Sequence, residues 1–375
     1  MEREMEMEIE MQMETEMEKV LHMNGGVGQY SYANNSLVQR AAAIKAKPIL
    51  EESIQEVYHA LKPKCLMMAD MGCSSGPNAL FVVSEVVNII EEVCKSLNNE
   101  PPQFGVFFND LPGNDFNTLF SFVRAFQKRI EEEKGSNFGP CFVSATPRSF
   151  YGSVFPNHFL HFVHSGYALQ WLSQVPEGLV SKEGVALNKG NIYIAKTSPP
   201  EVHQAYYSQF KRDFTLFLRS RAREVVPGGC MVFTALGNIK STDPSPMYEL
   251  LGSALYDMVL EGIIKEEKLD KFNMPIYLAS AEEARQLIEA EGSFVVNRLE
   301  TFTIDWSVDI TQNLNSRAKF VMETARAAYE SLLSRAFGEA IIDELFIRFK
   351  KRVHKHFERQ TCEYLSILVS LTKRA

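Results

Sequence analysis

Apolar runs of strand length recur along the chain and alternate with longer stretches of helical periodicity, a pattern that few folds accommodate. The runs are "LMMADMG" (66–72), "FGVFFNDL" (104–111), "CFVSATP" (141–147), "HFLHFVHSG" (158–166), "GNIYIAK" (190–196) and "GCMVFTALG" (229–237). Most are apolar on both faces, as strands are when helices cover both sides of a parallel sheet. Helical patterns at 79–97 and 202–224 separate several of them. The expectation is an α/β fold built on a doubly wound sheet. Stretches 246–290 and 316–358 carry mostly helical signals and are expected to lie over that sheet as additions.

With 375 residues, 45% of them hydrophobic, the chain can bury a large core. No apolar run approaches the roughly 18 residues of a membrane span, and the N-terminus lacks the apolar stretch of a secretory signal. These features point to a soluble cytoplasmic protein. Six scattered cysteines without a CxxC pair fit neither a zinc site nor a disulfide framework. The formal charge is −8, but residues 1–19, "MEREMEMEIEMQMETEMEK", hold eight glutamates against Arg3 and Lys19. The remaining body is nearly neutral. Met and Glu alternate there without forming an apolar face, so 1–19 is expected to be a disordered acidic tail. No cluster of Lys and Arg interleaved with aromatics appears, which argues against a nucleic-acid partner.

Two strand ends carry chemistry. The run 66–70 ends at Asp70, Gly72 permits a tight turn, and Gly76-Pro77 leads into a helix near Asn78. Such a turn at the carboxyl edge of a sheet lets a ligand approach the backbone closely. The spacing is not GxGxxG and no GKS or GKT follows, so dinucleotide and triphosphate ligands fit poorly. An acid before the turn suits a cationic amine better than a phosphate. The next run ends at Asp110, where a carboxylate can hold a ribose diol. Plain turn chemistry is the alternative at both places, with Asp110 capping the turn at Pro112-Gly113.

The motifs "MNGGVGQYSYANNS" (23–36), "DMGCSSGPN" (70–78), "NDLPGNDFN" (109–117), "SFYG" (149–152), "WLSQVP" (171–176), "NKGNIY" (188–193) and "FGEAII" (337–342) resemble, in order, those of the SABATH family of plant S-adenosyl-methionine-dependent methyltransferases. The resemblance implies a Rossmann-like class I methyltransferase sheet with a helical cap over the active site. It divides the chain into a core with an N-terminal lid (20–240), cap segments at 241–290 and 307–360, core strands at 291–306 and a final core strand at 361–375. It also implies a small-molecule acceptor and a homodimer.

By motif position, Asp70, Cys73 and Asn78, with Ser36 and Tyr32 from the N-terminal segment, resemble the contacts to the methionine half of S-adenosyl-methionine. Asp110 and Leu111 resemble the ribose and adenine contacts, and Ser149 and Phe150 the adenine pocket. Arg148 replaces the glycine usual before Ser-Phe, and Ser153-Val154 replaces the usual Arg-Leu. Gln39 and Trp171 resemble the pair that holds the acceptor carboxylate in salicylate and benzoate members and are the implied catalytic positions. Asn24, Tyr167, Gln170, Leu236, Met247, Tyr248, Tyr277, Ala325 and Tyr364 complete the implied acceptor wall. Gln170-Trp171 and Tyr364 instead resemble the xanthosine and xanthine N-methyltransferases of the caffeine pathway, where extra polar groups can satisfy a purine's carbonyls. An aromatic carboxylate is the leading acceptor, with xanthine or xanthosine as the alternative. Asn188, Asp270, Phe272 and Asn273 resemble positions associated with Mg2+ in some members. Methyl transfer from a sulfonium is an in-line displacement that demands positioning more than acid–base chemistry. His161 and His164 are therefore expected to pack within their strand.

Overall fold

The computed structural model describes residues 21–134, 140–308 and 313–375; the acidic segment 1–19 falls outside them. A seven-stranded sheet runs in the order β3-β2-β1-β4-β5-β7-β6. Its strands are β1 (Cys65–Met71), β2 (Gln103–Asp110), β3 (Cys141–Pro147), β4 (Leu160–Gly166), β5 (Val225–Gly237), β6 (Phe294–Asp305) and β7 (Glu363–Lys373). Strands β1 to β5 are mutually parallel, whereas β7 is antiparallel to both β5 and β6.

The two-sided burial of the strands is visible in β1. Leu66 and Met68 enter the cluster formed with α1 (Leu37–Leu61), α2 (Asn78–Leu97) and α3 (Phe116–Lys134), while Ala69 and Met71 enter the cluster on the other face. The period of two divides one apolar run between two cores. On the second face lies α4 (Pro200–Glu224), followed by α5 (Pro246–Leu260), α6 (Glu266–Lys271) and α7 (Ala281–Glu291), which together occupy the connection from β5 to β6. Helix α7 starts with a capping box between Ser280 and Glu283 and stops at Gly292, whose φ of 83° suits a residue without a Cβ.

The connection from β6 to β7 holds α8 (Leu314–Phe337) and α9 (Ile342–Phe357). Helix α9 buries Leu345, Phe346, Phe349 and Val353 along one face. Its first turn carries Asp343 and Glu344 and its last His354, Lys355 and His356, matching the helix dipole. Among the described residues, no helix is long and apolar enough to cross a membrane.

One expected strand is absent. Residues 190–196 form no ladder; Ile192, Tyr193 and Ile194 are buried in an irregular segment. The apolar run reports burial, and its polar groups are satisfied elsewhere. Met274 N–H donates to the Ile192 carbonyl, Asn188 Nδ2 to the Tyr193 carbonyl, and Leu278 N–H to the Tyr193 hydroxyl.

Candidate active site

The chain crosses from β3 to β4, so β1 and β4 are neighbours in space with β2 and β3 between them in sequence. Ligands of open α/β sheets bind outside the strand ends at such a reversal. Here β1 turns at Gly72, with φ +76°, where a Cβ would stand 2.3 Å from the Ala168 Cβ. Ser74 follows in the left-handed region, with φ 54°. Its N–H donates to Asp110 Oδ2 at 2.7 Å, and Leu111 N–H donates to Oδ1 at 2.8 Å. Both bonds favour the carboxylate, yet burial prevails and pushes the Asp110 carboxyl up to about 6. Each oxygen retains acceptor capacity, and the side chain lines a cavity of about 320 Å³.

That cavity collects residues from distant parts of the chain. Tyr32, Asp110, Leu111, Ser149 and Phe150 line one part, together with Gly72, Ser74 and Arg148. Gln39, Tyr167, Gln170, Trp171, Leu236 and Tyr248 also line it. The other expected residues stand behind this wall. Asn78 Nδ2 donates to the Ser36 hydroxyl and carbonyl, fastening the start of α2 to the start of α1. Cys73 is buried in the core beside α2. Asn24 donates to Glu330 Oε2 at 2.7 Å, and its N–H reaches the Ala327 carbonyl, tying the N-terminal segment to α8. Met247, Tyr277 and Ala325 are packed into the cap, with Tyr277 donating to Glu283, while Tyr364 stands at the start of β7, stacked on Trp306 at 5.5 Å.

Asp70 has a partner that sequence distance concealed. It faces His164 across the β1–β4 ladder, with Oδ1 2.7 Å from Nδ1, and both side chains are buried. His161 accepts the Met67 N–H on its Nδ1. Neither histidine lines the cavity.

Two glutamines in the cavity differ in their bonding. Gln170 Nε2 donates to the Tyr167 carbonyl and its Oε1 accepts Leu236 N–H, so both ends are taken up by main chain. Among the described residues, neither the buried Gln39 Oε1 nor its Nε2 has a hydrogen-bond partner. The indole N–H of Trp171 likewise has no partner among the described residues, while its ring meets Tyr329 at 5.9 Å. Buried polar groups left free at a cavity wall require a ligand or water to pair with.

The four residues associated with Mg2+ do not fit a metal. Asn188 Oδ1 accepts the Ser198 hydroxyl, Asn188 Nδ2 donates to Asn273 Oδ1, and Asp270 Oδ1 accepts Gly190 N–H. Phe272 packs on Phe337. Three of their side-chain oxygens already accept a hydrogen bond, and a single carboxylate with two amides and a phenylalanine is a poor donor set for a hard cation.

Several cavity residues escaped the sequence reading, among them His22, Met23, Tyr151 and Tyr329. Tyr329 hydrogen-bonds Tyr248 through their hydroxyls at 3.3 Å. It stands four residues after Ala325 on α8, a helical spacing that would have placed it on the same face. No local signal marks His22 or Met23, which reach the cavity because the N-terminal segment crosses α8.

The family model described as SAM dependent carboxyl methyltransferase matches residues 18–374. A Petunia hybrida relative described as an S-adenosyl-L-methionine:benzoic acid/salicylic acid carboxyl methyltransferase is 45% identical over 360 residues, covering 95% of this chain and 98% of the relative. A Coffea canephora relative described as a probable caffeine synthase is 42% identical over 376 residues, covering 95% and 98%. Among solved structures, loganic acid methyltransferase with SAH matches with a TM-score of 0.80 at 33% identity, covering 94% of this chain and 99% of that one.

Proposed function

This chain belongs to the SAM dependent carboxyl methyltransferase family, and we propose that its acceptor is a small aromatic carboxylate of the benzoate or salicylate kind, converted to a methyl ester. The observation that carries this choice is the contrast between the two glutamines. Gln170, the residue suited to a purine carbonyl, has its amide bonded at both ends, whereas Gln39 and the Trp171 N–H remain to be paired. The Trp171 indole N–H and the Gln39 amide are donors that suit the two oxygens of a carboxylate once the amide is turned to present Nε2 in place of its unpartnered Oε1.

S-adenosyl-methionine supplies a methyl group activated on a sulfonium. The residues of this chain bind, orient and exclude water. Asp110 accepts the ribose hydroxyls, Leu111 and Phe150 offer apolar faces to adenine, and Ser149 contributes a hydroxyl beside the base. Tyr32 closes the N-terminal side. Asp70, Cys73, Ser36 and Asn78 act from behind the wall by holding the β1 turn and the two helix starts. Gln39 and Trp171 fix the acceptor carboxylate so that one oxygen lies on the axis of displacement, while Tyr167, Leu236 and Tyr248 shape the remainder of the ring site. A carboxylate is already ionised near neutral pH and needs no base. Mg2+ has no step in this reaction, because the residues associated with it do not form a fitting donor set. A homodimer and a cytoplasmic setting belong to the same proposal; light scattering of the purified protein tests the first and imaging of a tagged chain the second.

The deciding assay is labelled methyl transfer to benzoate, salicylate, anthranilate, jasmonate, xanthine, xanthosine and theobromine. A base-labile product from an aromatic acid is expected. A base-stable product from the purines alone would replace the ester reading with N-methylation.

A further inference from the structure

Residues 148–155 bring Ser149 and Phe150 to the cavity in the connection between β3 and β4, without helix or strand structure of their own. Their main-chain groups must find partners elsewhere. They converge on the last turn of α4. Arg221 donates from Nη1 to the Phe150 carbonyl and from Nη2 to the Gly152 carbonyl, each at 2.9 Å. Glu224 Oε1 accepts the N–H groups of Val154 at 2.6 Å and Phe155 at 3.1 Å, and the Ser153 hydroxyl at 3.3 Å. The two side chains pair with each other, with Nη2 3.0 Å from Oε1 and Nε 2.9 Å from Oε2, and both are 0% exposed.

A fully buried ion pair contributes little to stability compared with apolar side chains of the same volume, because both charges are taken out of water. What this pair provides is geometry. A planar guanidinium fixes two carbonyls, and a carboxylate three residues along the same helix fixes the two amides that follow them. Phe150 is further held against Phe217 of the same helix, with ring centroids 5.9 Å apart. Ser153 and Val154, where this chain departs from the family pattern, are two of the bonded residues.

We infer that Arg221 and Glu224 are positioning residues for the adenine end of the donor site, holding the loop of Ser149 and Phe150 in its binding conformation before the donor arrives. The inference rests on the adenine reading of Ser149 and Phe150. Both residues act through the loop and touch no substrate.

Steady-state kinetics on the full chain separate this role from a general contribution to folding. Arg221→Lys keeps the charge but loses the fork, and Glu224→Gln keeps an acceptor oxygen but loses the charge. Each is expected to raise the KM for S-adenosyl-methionine about tenfold while kcat and the acceptor KM change by less than about twofold. Loss of folding alone would reduce the active fraction and the melting temperature without moving that KM, and this result would overturn the inference. Phe150→Ala tests the underlying reading. If it raises the donor KM while the pair variants do not, only the inference falls; if it leaves the donor KM unchanged, the adenine reading falls and the inference with it. Should the variants not fold, hydrogen exchange on the unaltered protein decides. Val154 and Phe155 amides are expected to be protected already without ligand and to gain less than about threefold on adding S-adenosylhomocysteine. Fast exchange that becomes slow only with S-adenosylhomocysteine would overturn it.

Discussion

The proposed cofactor side and the proposed acceptor side of the cavity are built by different means. At the cofactor side, short turns at strand ends do the work: Gly72 clears Ala168, Ser74 and Leu111 amides hold Asp110, and the Arg221–Glu224 pair fixes the next loop. Main-chain groups set that geometry. The acceptor side is assembled from side chains that start on α1 (Gln39), the segment after β4 (Tyr167, Gln170, Trp171), α5 (Tyr248) and α8 (Tyr329). Its shape depends on how the cap packs over the sheet. A backbone-built site tolerates little variation, whereas a side-chain-built one can change ligand by single substitutions without disturbing the fold.

The largest expected effect falls on the cofactor side. Asp110→Ala removes the charged acceptor proposed for the ribose diol and should weaken S-adenosyl-methionine binding by about 2–3 kcal/mol, readable by calorimetry. Unchanged affinity would mean that main-chain geometry alone binds the donor. On the acceptor side, Gln39→Ala should lower kcat/KM for the best acid by about one to two orders of magnitude and leave the donor KM within about twofold. An equal rise in both KM values would erase the division between the two sides.

A pH series sharpens the same division. Burial raises the Asp110 carboxyl from an ordinary value of 3.8 to about 6. The folded protein therefore keeps this proton over a range where the unfolded chain has lost it. Its contribution to stability is fully present below the ordinary value and is lost as pH rises through about 6. Donor affinity runs the other way, because the ionised form accepts the diol. Below that pH it should fall by up to about tenfold per unit, and Asp110→Asn should flatten the profile. An unchanged profile in the variant would assign the titration to another group.

Gln170→Met should have the smallest effect on catalysis. Its amide braces Tyr167 and Leu236, so replacement should cost about 1–2 kcal/mol in chemical denaturation and shift the acid-to-purine ratio of specificity constants by less than about threefold. A large shift in that ratio would make Gln170 a recognition group after all.

The same division governs what the sequence made legible. Runs 66–72 and 104–111 announce β1 and β2, and the acid that ends β2 is found from its place alone, since a strand end and its turn are local features. The run at 190–196 misled because apolar density measures burial and says nothing of pairing partners. Long-range facts were out of reach: β7 inserted antiparallel between β5 and β6, His164 opposite Asp70, and the Arg221–Glu224 pair under a loop some seventy residues earlier. Gln39 and Gln170 are equivalent as sequence letters. Motif position separates them by resemblance, and their hydrogen-bond partners distinguish a brace from a group still to be paired.

The most direct test of the central claim is a crystal structure of the protein with S-adenosylhomocysteine and the aromatic acid it methylates best. The ribose should rest on Asp110, and the acid's carboxylate should accept bonds from Gln39 and the Trp171 indole with one oxygen pointing at the sulfur. A carboxylate seated away from Gln39 and Trp171, or a purine bound there in preference to the acid, would contradict the account.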